Sequence, residues 1–347
     1  MYYDEYHNHK WAIVLQRARQ LADSGAWQAF YYGEELPDGD VFPGVKVSLA
    51  YWISVEHEMK LRMRILLKGA NRTEWEFDPE LTATAAEYHA RFVSDMKELN
   101  RRYRILPEAD FDLVESNGWE TPASWADEFR DLRLQSEAEI DSGALSSNLA
   151  DRWIAECVRS VSNYNRYLIW GGVNAAHLVK TGGKQALMDA VDSVAEEFMW
   201  EVSREFFARV MPSAGFEDLG DLMELGLRGM YADNYMAKGS EVEEGEKTIR
   251  ISTLKNCQLM GIYRKIEQWS GLPETTLGYG ICQFCEVHGQ ATMLISIPPM
   301  YDPQYRRLQS LALDVNADSC KFELVTTPAD DMERILLVQE KVFGEEA

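Results

Sequence analysis

Residues 187–207 read LMDAVDSVAEEFMWEVSREFF, and their apolar side chains recur every three or four positions. Spacing of i, i+3, i+4 and i+7 places such side chains on one face of a helix, which a globular protein turns toward its core. The stripe consists of Leu187, Val191, Val194, Phe198, Val202, Phe206 and Phe207. This stretch therefore predicts a long core-facing helix in a fold dominated by helices.

The sequence on the N-terminal side of this stripe repeats the helical pattern. One helix is predicted from Ala150 to Trp170, with Gly171-Gly172 ending or kinking it, and the next begins after Gly182-Gly183. Three earlier helices are predicted at 10–23, 51–67 and 84–103. Glycine, proline and polar residues in the intervening segments indicate loops.

Residues 115–150 are polar and contain several turn-forming residues, which predicts a connection between two parts of the chain. We therefore divide the chain into an N-terminal helical region at 1–114, a linker at 115–150 and a C-terminal domain at 151–347. The third part carries all five cysteines.

After Lys238 the hydrophobic period changes. Alternation at 247–254 and 321–325 and a short apolar run at 292–297 predict strands, with a helix at 259–269 between them. The expected fold class is α+β and mainly helical: a helical body followed by a small C-terminal module that contains a sheet.

The charge balance narrows the range of partners. The 347 residues include 57 acidic and 35 basic side chains, for a net charge of −22. Such a surface repels phosphate backbones and anionic membranes, so we expect neither nucleic acid nor membrane as a partner. The N-terminus lacks the pattern of a signal peptide, and we expect a soluble cytoplasmic protein. Its expected partner is a small molecule, and it could also form a homo-oligomer.

The candidate chemistry lies in GICQFCEVHG, residues 280–289. Cys282, Cys285 and His288 are spaced three apart and would share one face of a helix. Cys257 precedes this segment and Cys320 follows it. Together these five residues would suffice for a tetrahedral zinc site, and an iron–sulfur cluster is a less favoured use of the same thiols.

Two other interpretations of these cysteines compete with metal binding. Cys285 would be a thiolate nucleophile if His288 and the adjacent Glu286 promote its ionisation. The cysteines would instead be small apolar fillers if the segment is simply packed, since free cysteine is often buried. Cys157 lies among apolar positions of a predicted helix and is expected in the core. The residues alone leave nucleophile and metal ligand as close competitors.

Four stretches suggest a family. They are Asn256-Cys257-Gln258-Leu259, Ser270-Gly271-Leu272-Pro273-Glu274, Phe284-Cys285-Glu286-Val287-His288 and Asn316-Ala317-Asp318-Ser319-Cys320-Lys321-Phe322. Over roughly residues 150–326 the chain resembles the L-2-amino-thiazoline-4-carboxylic acid hydrolase-like family. It departs from that family at Gln258, where proline is preferred, at His288, where aspartate is common, and at 317–319, which replace a glycine-led turn.

The resemblance implies hydrolytic opening of a small ring or cleavage of a C–N bond, with Cys285 as nucleophile or ligand. A related small-ligand module, the 4-vinyl-reductase domain, uses cysteines near a similar closing strand to bind zinc in sensory proteins. The leading hypothesis is therefore a cysteine-dependent hydrolase of a small cyclic or amide substrate that needs no cofactor. The alternative is a binding module without catalysis that zinc or, less favoured, an iron–sulfur cluster stabilises.

Candidate pocket residues come from the helices near this module. Trp170, Tyr231 and Tyr235 would line an aromatic pocket, although such residues are more often core. His177 follows the predicted break at Gly171-Gly172, and a histidine beside a helix break is a fair pocket-lining position. Glu56-His57-Glu58, by contrast, is expected to form a salt network on the surface of its helix.

Overall fold

The structure is a computed structural model that describes the larger part of the helical segments of the chain. The described residues are 10–35, 41–69, 79–116, 123–192, 209–216, 240–241, 248–255, 258–273, 276–277, 305–314 and 319–326. For the strands after residue 239 only the backbone is described.

Helices dominate these residues, as the sequence predicts. They are α1 (Lys10–Ser24), α2 (Trp27–Tyr32), α3 (Val45–Gly69), α4 (Pro79–Tyr103), α5 (Glu108–Ser116), α6 (Trp125–Asp141), α7 (Ser147–Asp192), the short α8 (Met211–Ala214) and α9 (Gln258–Ser270). Two short strands, β1 (Glu34–Glu35) and β2 (Val41–Phe42), pair antiparallel between α2 and α3. None of the described helices is long and apolar enough to cross a membrane.

Helix α7 lies at the centre of the helical packing. Residues 160–165 each have 0 % exposure, so this part of the helix is enclosed on all sides. Its most extensive contact is with α3, and α9, α4, α1 and α5 also pack against it. These five helices thus pack around α7.

The prediction that Gly171-Gly172 ends or kinks this helix is wrong, because Gly183 is the non-helical residue within α7. A Cβ atom added at Gly172 would lie 2.3 Å from Ile266 Cδ1 of α9. The missing side chain at Gly172 therefore leaves space for the end of the Ile266 side chain of α9. The predicted helix start after Gly182-Gly183 agrees with the kink at Gly183, whose φ of 75° and ψ of 177° suit only glycine.

One hydrophobic cluster joins residues from the predicted N-terminal region, the predicted linker and the predicted C-terminal domain. The largest fully buried side chains are Trp11, Trp52, Trp153, Tyr31, Tyr164, Phe30, Phe42, Phe111 and Leu15. Trp153 of α7 packs edge-on against Tyr31 of α2 and Phe129 of α6. The division into domains stays a prediction, but the described helices on either side of it share a core.

The polar segment predicted as a linker contains helix α6. This helix buries Trp125, Phe129, Leu132, Ser136 and Ile140. These residues are three or four positions apart and so share one mainly apolar face, which the polar residues between them obscure in the sequence.

Helix α6 also carries a charged contact with its neighbours, the Glu137 cluster. The Glu137 carboxylate accepts from Arg133 Nη1 at 2.9 Å and from Tyr31 Oη at 3.1 Å, and Lys46 Nζ lies at 3.5 Å. Burial and the charge of Glu137 raise the pKa of Tyr31. The cluster links α2, α3 and α6.

Four C-terminal strands form an antiparallel sheet. They are β3 (Ser240–Glu241), β4 (Thr248–Lys255), β5 (Tyr305–Asp314) and β6 (Ser319–Thr326), in the order β3-β4-β6-β5. The strands predicted at 247–254 and 321–325 correspond to β4 and β6, and the helix predicted at 259–269 corresponds to α9. The strand predicted at 292–297 lies outside the described residues, and β5 has no counterpart in the sequence analysis.

Candidate functional site

Most of the predicted cysteine site lies outside the described residues. This applies to Cys257, Cys282, Cys285, Glu286 and His288. Cys320 is the second residue of β6, and its backbone pairs with Leu254 of β4. The proposed convergence of these six residues, as metal ligands or as catalytic groups, therefore stays a prediction.

The register of β4 against β6 bears on the two isolated cysteines. Lys255, the last residue of β4, lies opposite Ser319, the residue before Cys320. Two residues separate β4 from the first residue of α9, and Cys257 is the second of them. The C-terminal end of β4, which is followed in sequence by Cys257, therefore lies beside Cys320.

The cysteine expected in the core is found there. Cys157 on α7 is a free thiol with 0 % exposure. Burial, followed by the nearby charge of Glu156, raises its pKa well above the ordinary value. A buried thiol that resists ionisation is a poor nucleophile, so the prediction of a packing role for Cys157 is confirmed.

Two of the four predicted pocket residues lie on α7. Trp170 and His177 are seven positions apart and half-buried, and Trp170 packs against the hydrophobic cluster. Seven positions are nearly two helical turns, so the two side chains leave the same face of α7. The helix continues through 171–172, which removes the reason given for placing His177 at a break. Tyr231 and Tyr235 lie outside the described residues.

The structure reveals a buried group that the sequence analysis missed, the Glu56 cluster, formed by Glu56, Ser160 and Asn163. Glu56 is only 2 % exposed on α3, and the two partners on α7 are fully buried. Its carboxyl group accepts from Ser160 Oγ at 3.3 Å and, through its other oxygen, from Asn163 Nδ2. Both oxygens of the Glu56 side chain therefore have a hydrogen-bond partner on α7.

The expectation of a surface salt network at 56–58 is therefore wrong, since Glu58 is also buried, at 8 % exposure. The available signal was on α7, where Ser160 and Asn163 are polar residues three positions apart. Pairing them with Glu56 requires knowing that α3 packs against α7, more than a hundred residues away in sequence.

His57 extends this polar region toward α6. Its ring centroid lies 5.3 Å from that of Trp125, and the Arg209 guanidinium lies 5.0 Å from the Trp125 ring. Burial, followed by the positive charges of Arg209, Lys60 and Arg159, lowers the pKa of His57 to about 4. A histidine with this pKa is neutral at pH 7 and accepts a proton only weakly, which makes it a poor general base.

The Glu56 cluster and His57 thus support packing between helices better than they support catalysis. Among the residues that the structure describes, no group of three or more histidine, cysteine or acidic side chains is placed to hold a metal ion. The five predicted metal ligands are not tested by this, because the side chains of all five lie outside the described part.

Comparison of the chain with protein-family models, curated proteins and solved structures finds no match.

Proposed function

We propose that the chain is a cysteine-dependent hydrolase that cleaves a C–N bond of a small cyclic or amide substrate. The cysteine segment, α9 and the sheet β3–β6 form its catalytic module in this proposal. Cys285 is the nucleophile, His288 the general base, and Glu286 the group that supports the imidazolium. Trp170, His177, Tyr231 and Tyr235 line the substrate pocket.

The observation that supports this proposal is the register of β4 against β6. The backbone of Leu254, three residues before Cys257 in sequence, pairs with that of Cys320, and this pairing supports a role for both cysteines in one site. Because Cys157 is fully buried with a raised pKa, thiol chemistry falls to the four C-terminal cysteines. Among these, Cys285 has both a histidine and a carboxylate within three positions.

The reaction proceeds in two balanced steps. His288 removes the proton from the Cys285 thiol, and the thiolate attacks the carbon of the C–N bond. The C–N bond breaks as the imidazolium returns the proton to the leaving nitrogen, which leaves an acyl or imidoyl group on sulfur. Water, deprotonated by the same imidazole, then attacks this carbon and releases the free thiol.

The test compares Cys285→Ala with the matched control Cys157→Ala. We expect hydrolysis of the C–N bond of an aminothiazoline carboxylate, measured by the amine or ammonia that it releases, to be lost in the first variant and retained in the second. Iodoacetamide should label Cys285 before Cys157 in the native protein, as read by peptide mass spectrometry. Full turnover by a folded Cys285→Ala protein would disprove the proposal.

The same strand register also favours the second candidate, a zinc-stabilised binding module without catalysis. A tetrahedral site needs Cys257 or Cys320 in addition to Cys282, Cys285 and His288. Natively purified protein should then contain one zinc per chain by elemental analysis, and a chelator should lower its thermal midpoint. Protein without stoichiometric metal excludes this candidate.

A further inference from the structure

The middle of α7 carries polar side chains in the centre of the core. Ser160, Ser162, Asn163 and Asn165 all have 0 % exposure. Ser160 and Asn163 face α3, where they bond Glu56. Successive helical residues are rotated by about 100°, so Ser162 and Asn165 share a face on roughly the opposite side of α7. These two residues therefore belong to a different surface from the Glu56 cluster.

The oxygens on this second face have unused hydrogen-bonding capacity. Neither Ser162 Oγ nor Asn165 Oδ1 has a hydrogen-bond partner among the described residues. Asn165 Nδ2 donates to Val161 O at 2.7 Å, which fixes the orientation of the amide. A buried oxygen without a donor is unfavourable compared with the same oxygen in water, and proteins usually supply a partner.

Contacts on either side locate this face within the fold. Asp151, three helical turns before Ser162 on the same face, accepts from Arg19 Nη1 of α1 at 2.7 Å. Gly172, two turns after Asn165 on the same face, lies against Ile266 of α9. Ser162 and Asn165 thus lie on α7 between the points at which α1 and α9 contact it.

We propose that Ser162 Oγ and Asn165 Oδ1 hold an ordered, buried water molecule. Side chains three positions apart on a helix have Cβ atoms about 5–6 Å apart, a span that one water bridges. Water is small enough for a closely packed core and donates two hydrogen bonds. It supplies the donor that Asn165 Oδ1 needs and the partner that the Ser162 hydroxyl needs.

A crystal structure of the full chain at about 1.8 Å tests this directly. We expect a solvent peak within about 3.2 Å of both oxygens. The proposal is overturned if both oxygens are dry, if the Ser162 hydroxyl bonds a helix carbonyl instead, or if density for a larger molecule occupies the position.

Urea unfolding of variants provides the solution test, with Ser160→Ala as the matched control on the other face. Ser162→Ala and Asn165→Leu should each lower the urea midpoint, and the double variant should lose less than the sum because both lose the same water. Ser160→Ala and Ser162→Ala should be additive. A raised urea midpoint for Ser162→Ala and Asn165→Leu contradicts the proposal. The midpoint would rise if the wild-type oxygens had no partner at all, because each substitution would then remove an unsatisfied buried oxygen.

Discussion

His57 is held in its neutral form by its surroundings. Its ring lies against Trp125, and burial together with Arg209, Lys60 and Arg159 lowers its pKa from 6.5 to about 4. The folded chain therefore binds a proton on this group less readily than the unfolded chain does. As the pH falls below 6.5, the unfolded state gains a proton that the folded state does not, so folding is progressively destabilised.

The first prediction follows from this difference. Between pH 6.5 and pH 4 the wild-type protein should lose up to about 3 kcal/mol of unfolding free energy through His57 alone. His57→Phe keeps a ring against Trp125 and should flatten the pH dependence by that amount. Urea unfolding at half-unit pH intervals measures both proteins, and carboxyl groups common to both cancel in the difference. Equal slopes for the two proteins would show that His57 is protonated equally in the folded and unfolded states.

The second prediction concerns the Glu56 cluster. Asn163→Ala leaves a buried carboxylate short of a donor, and we expect it to lower the unfolding free energy by about 2–3 kcal/mol. Asn174→Ala is the control, because Asn174 Nδ2 donates to the neutral carbonyl of Trp170 at 3.1 Å. Its cost should be about 1 kcal/mol. A cost for Asn163→Ala no larger than for the control would show that the hydrogen bond to Glu56 contributes no more than a bond to a neutral carbonyl.

Single residues were the level at which the sequence was least informative. Cys157 was placed correctly because its neighbours at helical spacing are apolar. Glu56 was not, because its acidic and histidine neighbours suggested a solvent-exposed face. Its burial depends on Ser160 and Asn163 of a distant helix, and local periodicity carries no information about such partners.

At the level of helices, the sequence predicted well which segments are helical and poorly where a helix is interrupted. The helices predicted at 10–23 and 84–103 correspond to α1 and α4, since their apolar periodicity is regular. The glycine pair at 171–172 looked like a break because glycine lowers helix propensity. In the structure, packing against α9 outweighs that preference.

The glycine pair provides the third prediction. A Cβ at Gly171 meets Tyr263 Oη at 3.8 Å and Met63 Cβ at 3.9 Å, which are ordinary contacts. Gly171→Ala should therefore raise the unfolding free energy by up to about 1 kcal/mol through helix propensity. Gly172→Ala should lower it by up to about 1 kcal/mol, because Ile266 Cδ1 would lie 2.3 Å from the new methyl group and the buried Ile266 side chain must change its rotamer.

Ile266→Val removes the clashing methyl group and is the control for this prediction. In the Ile266→Val background, Gly172→Ala should cost clearly less than in the wild type, as measured by a double-mutant cycle in urea. An unchanged cost would mean that α9 does not approach α7 at this position.

At the scale of the whole molecule, the contacts cross the division predicted from the sequence. Arg19 of α1 bonds both the Ile105 carbonyl and Asp151 of α7, and the Glu137 cluster joins α6 to α2 and α3. The sequence suggested two parts because residues 115–150 are polar. It could not show that the apolar faces of α3 and α6 are buried in the same core as α7.

The fourth prediction separates a shared core from two independent domains. The fragment 1–114 includes α3, whose most extensive contact is with α7, so it exposes that apolar face when expressed alone. We expect the fragment to lack a cooperative urea transition and to bind the dye ANS, whereas the full chain unfolds in one transition when followed by circular dichroism. Fragment 1–192 is the control: it retains α7 and should regain cooperativity.

If 1–114 unfolds cooperatively at the midpoint of the full chain, the N-terminal region is an independent domain. In that case the contacts of α3 with α7 contribute little to its stability.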